Sequence, residues 1–245
     1  MRSGRSRSIG AVSAVSALLS NARRAAVLVC LAAFAVALGA PVAEAACGSS
    51  AYAYAGVQGL QASAGISAHM QVVSPPSVFS GHVAAWVGVG GQGASADGRD
   101  EWIQAGFSGF AGTSMTSLYY EVVRPGEQPR YTLVDSDLLV GTSRLITVAE
   151  IAGRPNWWRV KVDGRAVSEP ILLPGSDRRW QPMATGESWG GNSGACNGFR
   201  YRFDGVRTTA RAGASWQALT ETYSFQDDGY RLERPAPASF VSRSV

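Results

Sequence analysis

The stretch "WWRVKVDGRAV" at 157–167 constrains the chain most. Trp158, Val160 and Val162 alternate with Trp157, Arg159 and Lys161, the two-residue period of a strand with one face buried and the other wet. Asp163-Gly164 follows, a pair that accepts positive φ at both positions of a tight turn, so the chain folds back as a hairpin. Short runs of the same character recur, rich in β-branched and aromatic residues and bounded by Gly, Pro, Asp and Ser. They lie at 51–57, 67–73, 82–90, 101–107, 117–124, 129–134, 144–151, 157–163, 166–173, 183–189, 199–208, 215–223 and 228–232. Helical periodicity is nearly absent beyond residue 45. This pattern predicts an all-β fold, an antiparallel β-sandwich or barrel, in a single domain at 46–234. The closing stretch 235–245, which ends "APASFVSRSV", reads as a loose C-terminal tail.

Residues 1–45 read differently. Five arginines precede Ala25, the 16-residue apolar run "AAVLVCLAAFAVALGA" follows, and Ala43 and Ala45 then supply small residues. Basic, apolar and small in that order predict a secretory signal peptide cut after Ala45. The apolar run is shorter than the roughly 20 residues of a spanning helix, and Glu44 stands where a lipoprotein signal needs an apolar residue. The expected product is a secreted, extracellular protein of a bacterial cell, monomeric and free of the membrane once the signal is cleaved. The segment takes five arginines and Glu44 with it, so the chain's 22 basic and 18 acidic residues become 17 of each. A net charge near zero removes the composition argument for a nucleic-acid partner. Cys30 leaves as well, so Cys47 and Cys196 remain and are expected to form a disulfide in an oxidising compartment. No His or third Cys is spaced near either one, so neither a metal nor a cofactor is expected.

Two motifs yield to simpler readings. "GVGGQG" at 88–93 has the letters of a dinucleotide-binding loop, but no helix opens on it and a polar loop, "GQGASADGRD", follows. It reads as a glycine-rich hairpin loop. "GNSG" at 191–194, with His82 upstream, has the letters and chain order of a trypsin-like protease. That mechanism needs an orienting carboxylate beside the base; no Asp stands out for it, and a turn ahead of Cys196 accounts for the letters.

The informative stretch is "DEWIQAGFSGF" at 100–110. Alternation puts Trp102, Gln104 and Gly106 on one face and Ile103, Ala105 and Phe107 on the other. "AAWVGVG" sets Trp86 and Gly88 on a common face, "SLYYEVV" gives Glu121 on one face and Tyr120 on the other, and "ATGESWGG" places Glu187 two residues before Trp189. Amide and carboxyl groups set in strands among Trp and Gly describe a wet groove, or else ordinary outward-facing polar positions.

"WVGVG", "IQAGF", "LYYEV" and a late "GESW", in that order over about 82–206, resemble the eqolisins, the glutamic peptidases. In that family a Trp-Val/Ile-Gly strand comes first, the catalytic Gln lies in a Gln-x-Gly strand, a Trp-Tyr-Glu-Trp strand follows, and the catalytic Glu precedes a Trp late in the chain. The resemblance implies a concanavalin-like jelly roll, two large antiparallel sheets with a concave groove. It implies Gln104 and Glu187 as the catalytic pair: the Glu as general base and then acid, the Gln orienting water and stabilising the oxyanion. It matches Trp86 and Glu121 to groove residues, and Trp102, Tyr120 and Trp189 are expected to line the groove with them. Here Ser188 stands between Glu187 and Trp189, where the family has Glu followed directly by Trp. The expected partner is a peptide or protein substrate. The alternatives are a non-catalytic module binding peptide or cell-wall glycan in the same groove, and a glycan-cleaving enzyme using Glu121 and Glu187.

Overall fold

A computed structural model describes residues 47–48, 50–191 and 194–245. The segment expected as a signal peptide lies outside them, as do Asn192 and Ser193 of "GNSG". Among the described residues there are sixteen strands and no helix, so none is long and apolar enough to cross a membrane. In chain order they are β1 (Tyr52–Gly59), β2 (Gly65–Val78), β3 (His82–Gly91), β4 (Glu101–Phe110), β5 (Thr116–Val123) and β6 (Arg130–Leu138). Then come β7 (Ser143–Glu150), β8 (Trp157–Val162), β9 (Arg165–Ala166), β10 (Ile171–Leu172) and β11 (Pro182–Trp189). The last five are β12 (Asn197–Thr208), β13 (Gln217–Ala218), β14 (Thr222–Gln226), β15 (Tyr230–Ala236) and β16 (Ser239–Ser244).

They form a concanavalin-like antiparallel sandwich. One sheet runs β14-β1-β11-β3-β4-β5-β6; the other runs β10-β8-β7-β2-β12-β16-β15, with β13 on β12 and β9 on β8. The hairpin at 157–167 forms as its pattern demands: Trp158, Val160 and Val162 are buried, and Asp163 and Gly164 take φ of 49° and 80°. The inner faces meet in one apolar core. Val83, Ala85, Val87, Ile103, Ala105 and Phe107 come from the first sheet, and Ile66, Met70, Val148, Trp158, Tyr201 and Phe203 from the second. That leaves the other face of the first sheet free to carry a site.

Three expectations change. The run 166–173 is not one strand: Pro170 has no N–H to give a ladder, and Ser168 Oγ accepts the Val160 N–H at 2.9 Å, so β9 and β10 stay apart. The run 215–223 crosses between layers, with β13 on β12 and β14 on β1. Most consequentially, 235–245 is not a loose tail. β15 runs on to Ala236, and β16 inserts between β12 and β15, with Phe240 and Val241 buried and Phe240 stacked on Phe203 at 4.5 Å. The short "SFVS" run follows two prolines and is too brief to announce a strand by period alone.

Cys47 and Cys196 form a disulfide with Cα atoms 5.6 Å apart, across a separation of 149 residues. Closing so long a loop restricts the unfolded chain, worth about 5 kcal/mol in the entropic limit. The double substitution Cys47→Ser with Cys196→Ser should therefore lower unfolding free energy by several kcal/mol in a urea titration, about 5 at most. Deleting 239–245 opens the second sheet between β12 and β15, and should abolish the cooperative thermal transition; a truncated protein melting like the full chain would return this segment to a tail.

Candidate active site

The outer face of the first sheet carries a groove of about 1020 Å³. Its floor follows from the register of β3 against β4. Trp86 lies opposite Gly106, and Gly88 opposite Gln104. A Cβ on Gly106 would overlap the Ala85 carbonyl oxygen and stand 2.7 Å from the Trp86 Cα; one on Gly88 would stand 2.8 Å from the Gln104 Cβ. Each large groove side chain thus faces a residue with none. Trp86 and Tyr119 pack together with Ala84 as a small second apolar cluster on this face, flanked by Tyr54 and Met183.

Glu187 sits on β11, between Tyr54 of β1 and Ala84 of β3. Its Oε2 accepts the Trp86 Nε1–H at 2.9 Å, and its Oε1 is 3.1 Å from His82 Nε2. Ser188 turns to the opposite face, where its Oγ lies 3.2 Å from Asn197 Nδ2, and Trp189 returns to the groove face stacked on His82 at 5.7 Å. The inserted serine therefore keeps Glu187 and Trp189 on one face, whereas a Trp placed directly after Glu187 would point the other way.

Gln104, buried on β4, donates from Nε2 to the Tyr119 hydroxyl at 3.2 Å and lies 3.4 Å from Glu121 Oε1, its direct cross-strand partner. Trp102 Nε1–H donates to the same Glu121 oxygen at 3.2 Å. Burial pushes the Tyr119 phenol well up, and the charges of Glu187 and Glu121 push it the same way. It therefore stays protonated and keeps an O–H to donate. Burial likewise raises the phenols of Tyr52 and Tyr54, with Glu187 adding to both. The groove is a wall of neutral phenols and indoles around two carboxyls.

The structure brings Gln104, Glu187, Trp86, Trp102 and Glu121 into one groove, with Trp189 on the same face beside His82. Tyr120 is a correction. It packs against the sandwich core, and its neighbour Tyr119 lines the groove instead, because Tyr119 shares the strand face of Glu121. Sequence reading missed Tyr119, Tyr54 and the contact of His82 with Glu187. For His82 the signal was present: two steps of two residues back from Trp86 reach it along the same face. The "GVGGQG" stretch ends β3 and enters a loop, with Gly90, Gly91 and Gly93 at positive φ. Among the described residues no group of three His, Cys, Asp or Glu could hold a metal ion.

This fold has solved counterparts. The solved structure of scytalido-glutamic peptidase with a peptide-based transition-state analog matches with a TM-score of 0.56 and 16% identity, over 81% of this chain and all of that one. SCP-B, an eqolisin-family peptidase solved with the tripeptide Ala-Ile-His, matches with a TM-score of 0.52 and 15% identity, over 81% of this chain and all of that one. The chain carries the eqolisin fold, at a sequence distance where no protein-family model and no curated protein matches it.

Burial holds the Glu121 carboxyl above its ordinary range; the Trp102 N–H opposes this and the Glu187 charge adds to it. A raised carboxyl binds its proton more tightly in the folded state. The associated stability is present below the ordinary glutamate value and is lost as pH rises through the raised one. Glu121→Gln removes that loss, so its melting temperature relative to the wild type should rise between pH 3.5 and pH 7. A constant or falling difference would show that Glu121 is not held above its ordinary range.

Proposed function

We propose that this chain is a secreted glutamic-type endopeptidase in which Glu187 and Gln104 hydrolyse peptide bonds. The observation that carries this reading is the convergence of the Gln104 amide and the Glu187 carboxyl on one groove, from strands that flank β3. Supporting it, each of the two is buried and already hydrogen-bonded by its neighbours, so each is held in place before substrate arrives. The disulfide fits an oxidising compartment, and the leader at 1–45 fits export.

In this mechanism a groove water attacks the scissile carbonyl carbon. As the C–O bond forms, one water proton passes to the Glu187 carboxylate, and the carbonyl π pair moves onto oxygen. The Tyr119 hydroxyl accepts a hydrogen bond from one Gln104 amide N–H, and the second N–H turns from its long 3.4 Å contact with Glu121 Oε1 to that carbonyl oxygen. The oxyanion then re-forms the carbonyl, the C–N bond breaks, and the proton leaves Glu187 for the amine. Substrate enters as an extended chain over a floor of Trp86 and Tyr119.

Hydrolysis of a denatured protein at acidic and neutral pH by wild type, Gln104→Ala and Glu187→Gln tests the reading. Loss of the amide donor should cost about 100-fold or more in kcat, and loss of the general base about 100- to 10,000-fold. Equal activity in all three, or none in the wild type, would remove the mechanism.

A further inference from the structure

His82 begins β3 four residues before Trp86, on the same face. Its ring is walled by aromatic rings: Trp189 stacks on it at 5.7 Å, Phe110 lies at 5.8 Å, and Tyr52 meets it edge-on at 6.3 Å. Within that box Nε2 stands 3.1 Å from Glu187 Oε1. An ionised carboxylate has no proton to give, so the imidazole is the donor. Trp86 serves the other oxygen from the same strand, so two donors spaced four residues apart grip both oxygens and fix the plane of the carboxyl. The Glu187 side chain is only 8% exposed and that of His82 is 25% exposed. A charge so nearly removed from water needs its donors, and the more open imidazole is the one that meets the groove.

Packing alone does not call for histidine here. A phenylalanine would fill the same aromatic box; what it lacks is the N–H on Oε1. We propose that His82 is a positioning residue for Glu187, holding the carboxyl in the orientation from which it takes the proton of the attacking water. This rests on the reading of Gln104 and Glu187 as the catalytic pair. The titratable groups around the imidazole are Glu187 from β11, Tyr52 and Tyr54 from β1, Tyr119 and Glu121 from β5, and Tyr131 from β6. Burial raises all four phenols, so they stay neutral, and β4 presents Trp102, Gln104, Ser108 and Phe110, none of them titratable.

The test compares kcat and KM of wild type, His82→Phe and His82→Gln on a peptide substrate from pH 3 to 8. His82→Phe keeps the box and loses the donor; it should lower kcat about 100-fold, with KM near wild type. His82→Gln restores a donor and should recover most of that loss, with KM again near wild type. A readout that needs no turnover is the His82 Nε2–H signal in ¹⁵N-labelled protein, expected to be protected from exchange and displaced in Glu187→Gln. Wild-type turnover in His82→Phe, or no recovery in His82→Gln, overturns the positioning role. If the wild type cleaves no peptide, the peptidase reading falls, and the imidazole signal decides alone: a signal indifferent to Glu187→Gln overturns the pair, and a displaced one upholds it.

Discussion

The groove depends on a reciprocal exchange of bulk between β3 and β4. Trp86 needs a glycine opposite because the neighbouring backbone would collide with any Cβ at 106, and Gln104 needs one at 88 for the same reason. Slip either strand by one residue and its side chains change face, so the indole or the amide would enter the sandwich core. The core-side residues Val83, Ala85 and Val87 of β3 and Ile103, Ala105 and Phe107 of β4 forbid that slip, since it would put the three of the slipped strand into the groove. The apolar alternation on one face therefore fixes the polar alternation on the other. Hydrophobic burial, the largest favourable term in the fold, is what holds two costly polar groups in place.

Those polar groups are tolerable because each is satisfied by a neighbour on the same face. A buried carboxylate without partners costs several kcal/mol, and Glu187 meets Trp86 and His82 instead. A buried amide costs about 1–3 kcal/mol when unpaired, and Gln104 meets Tyr119. The neutral phenols matter as much as the carboxyls. Held protonated by burial and by the field of the two glutamates, Tyr52, Tyr54 and Tyr119 stay uncharged in a groove that already holds two carboxyls. The electrostatics of the site thus reinforce its own protonation pattern.

How much of this could be read from letters alone follows the range of each interaction. Two-residue periods are local, so most strands and the face shared by Trp102 and Gln104 were legible. So was the pairing of Cys47 with Cys196, because the segment that holds Cys30 is expected to be removed. Tyr119 and Tyr120 were confused because both are aromatic and adjacent, and only the face of Glu121 separates them. β16 was illegible because its burial comes from β12 and β15, not from its own six residues. Glu101 was illegible for a like reason. It heads β4 as an apparently ordinary charged residue, yet it is fully buried, its Oε2 accepting the N–H of Gly175 at 3.0 Å from a loop 74 residues on.

The placement of Glu187 against His82 depends on one further contact set. Asn197, fully buried beside Cys196, accepts the Phe79 N–H on Oδ1 at 3.0 Å, just ahead of β3. Its Nδ2 lies 2.8 Å from the Ser80 carbonyl, 3.1 Å from the Trp189 carbonyl and 3.2 Å from Ser188 Oγ. One amide therefore ties the approach to His82 to the end of β11, directly behind Glu187. The disulfide at the adjacent residue then anchors that same corner to the N-terminal end of the described chain. Ser188, the residue that separates Glu187 from Trp189, is the point where this amide grips β11. The serine spaces the two groove residues onto one face and, through its hydroxyl, fastens their strand to the hub that also aims His82. An alanine at 188 would keep the spacing and lose the fastening, so the geometry of the Glu187–His82 contact and the stability of this corner are coupled through a side chain that never enters the groove.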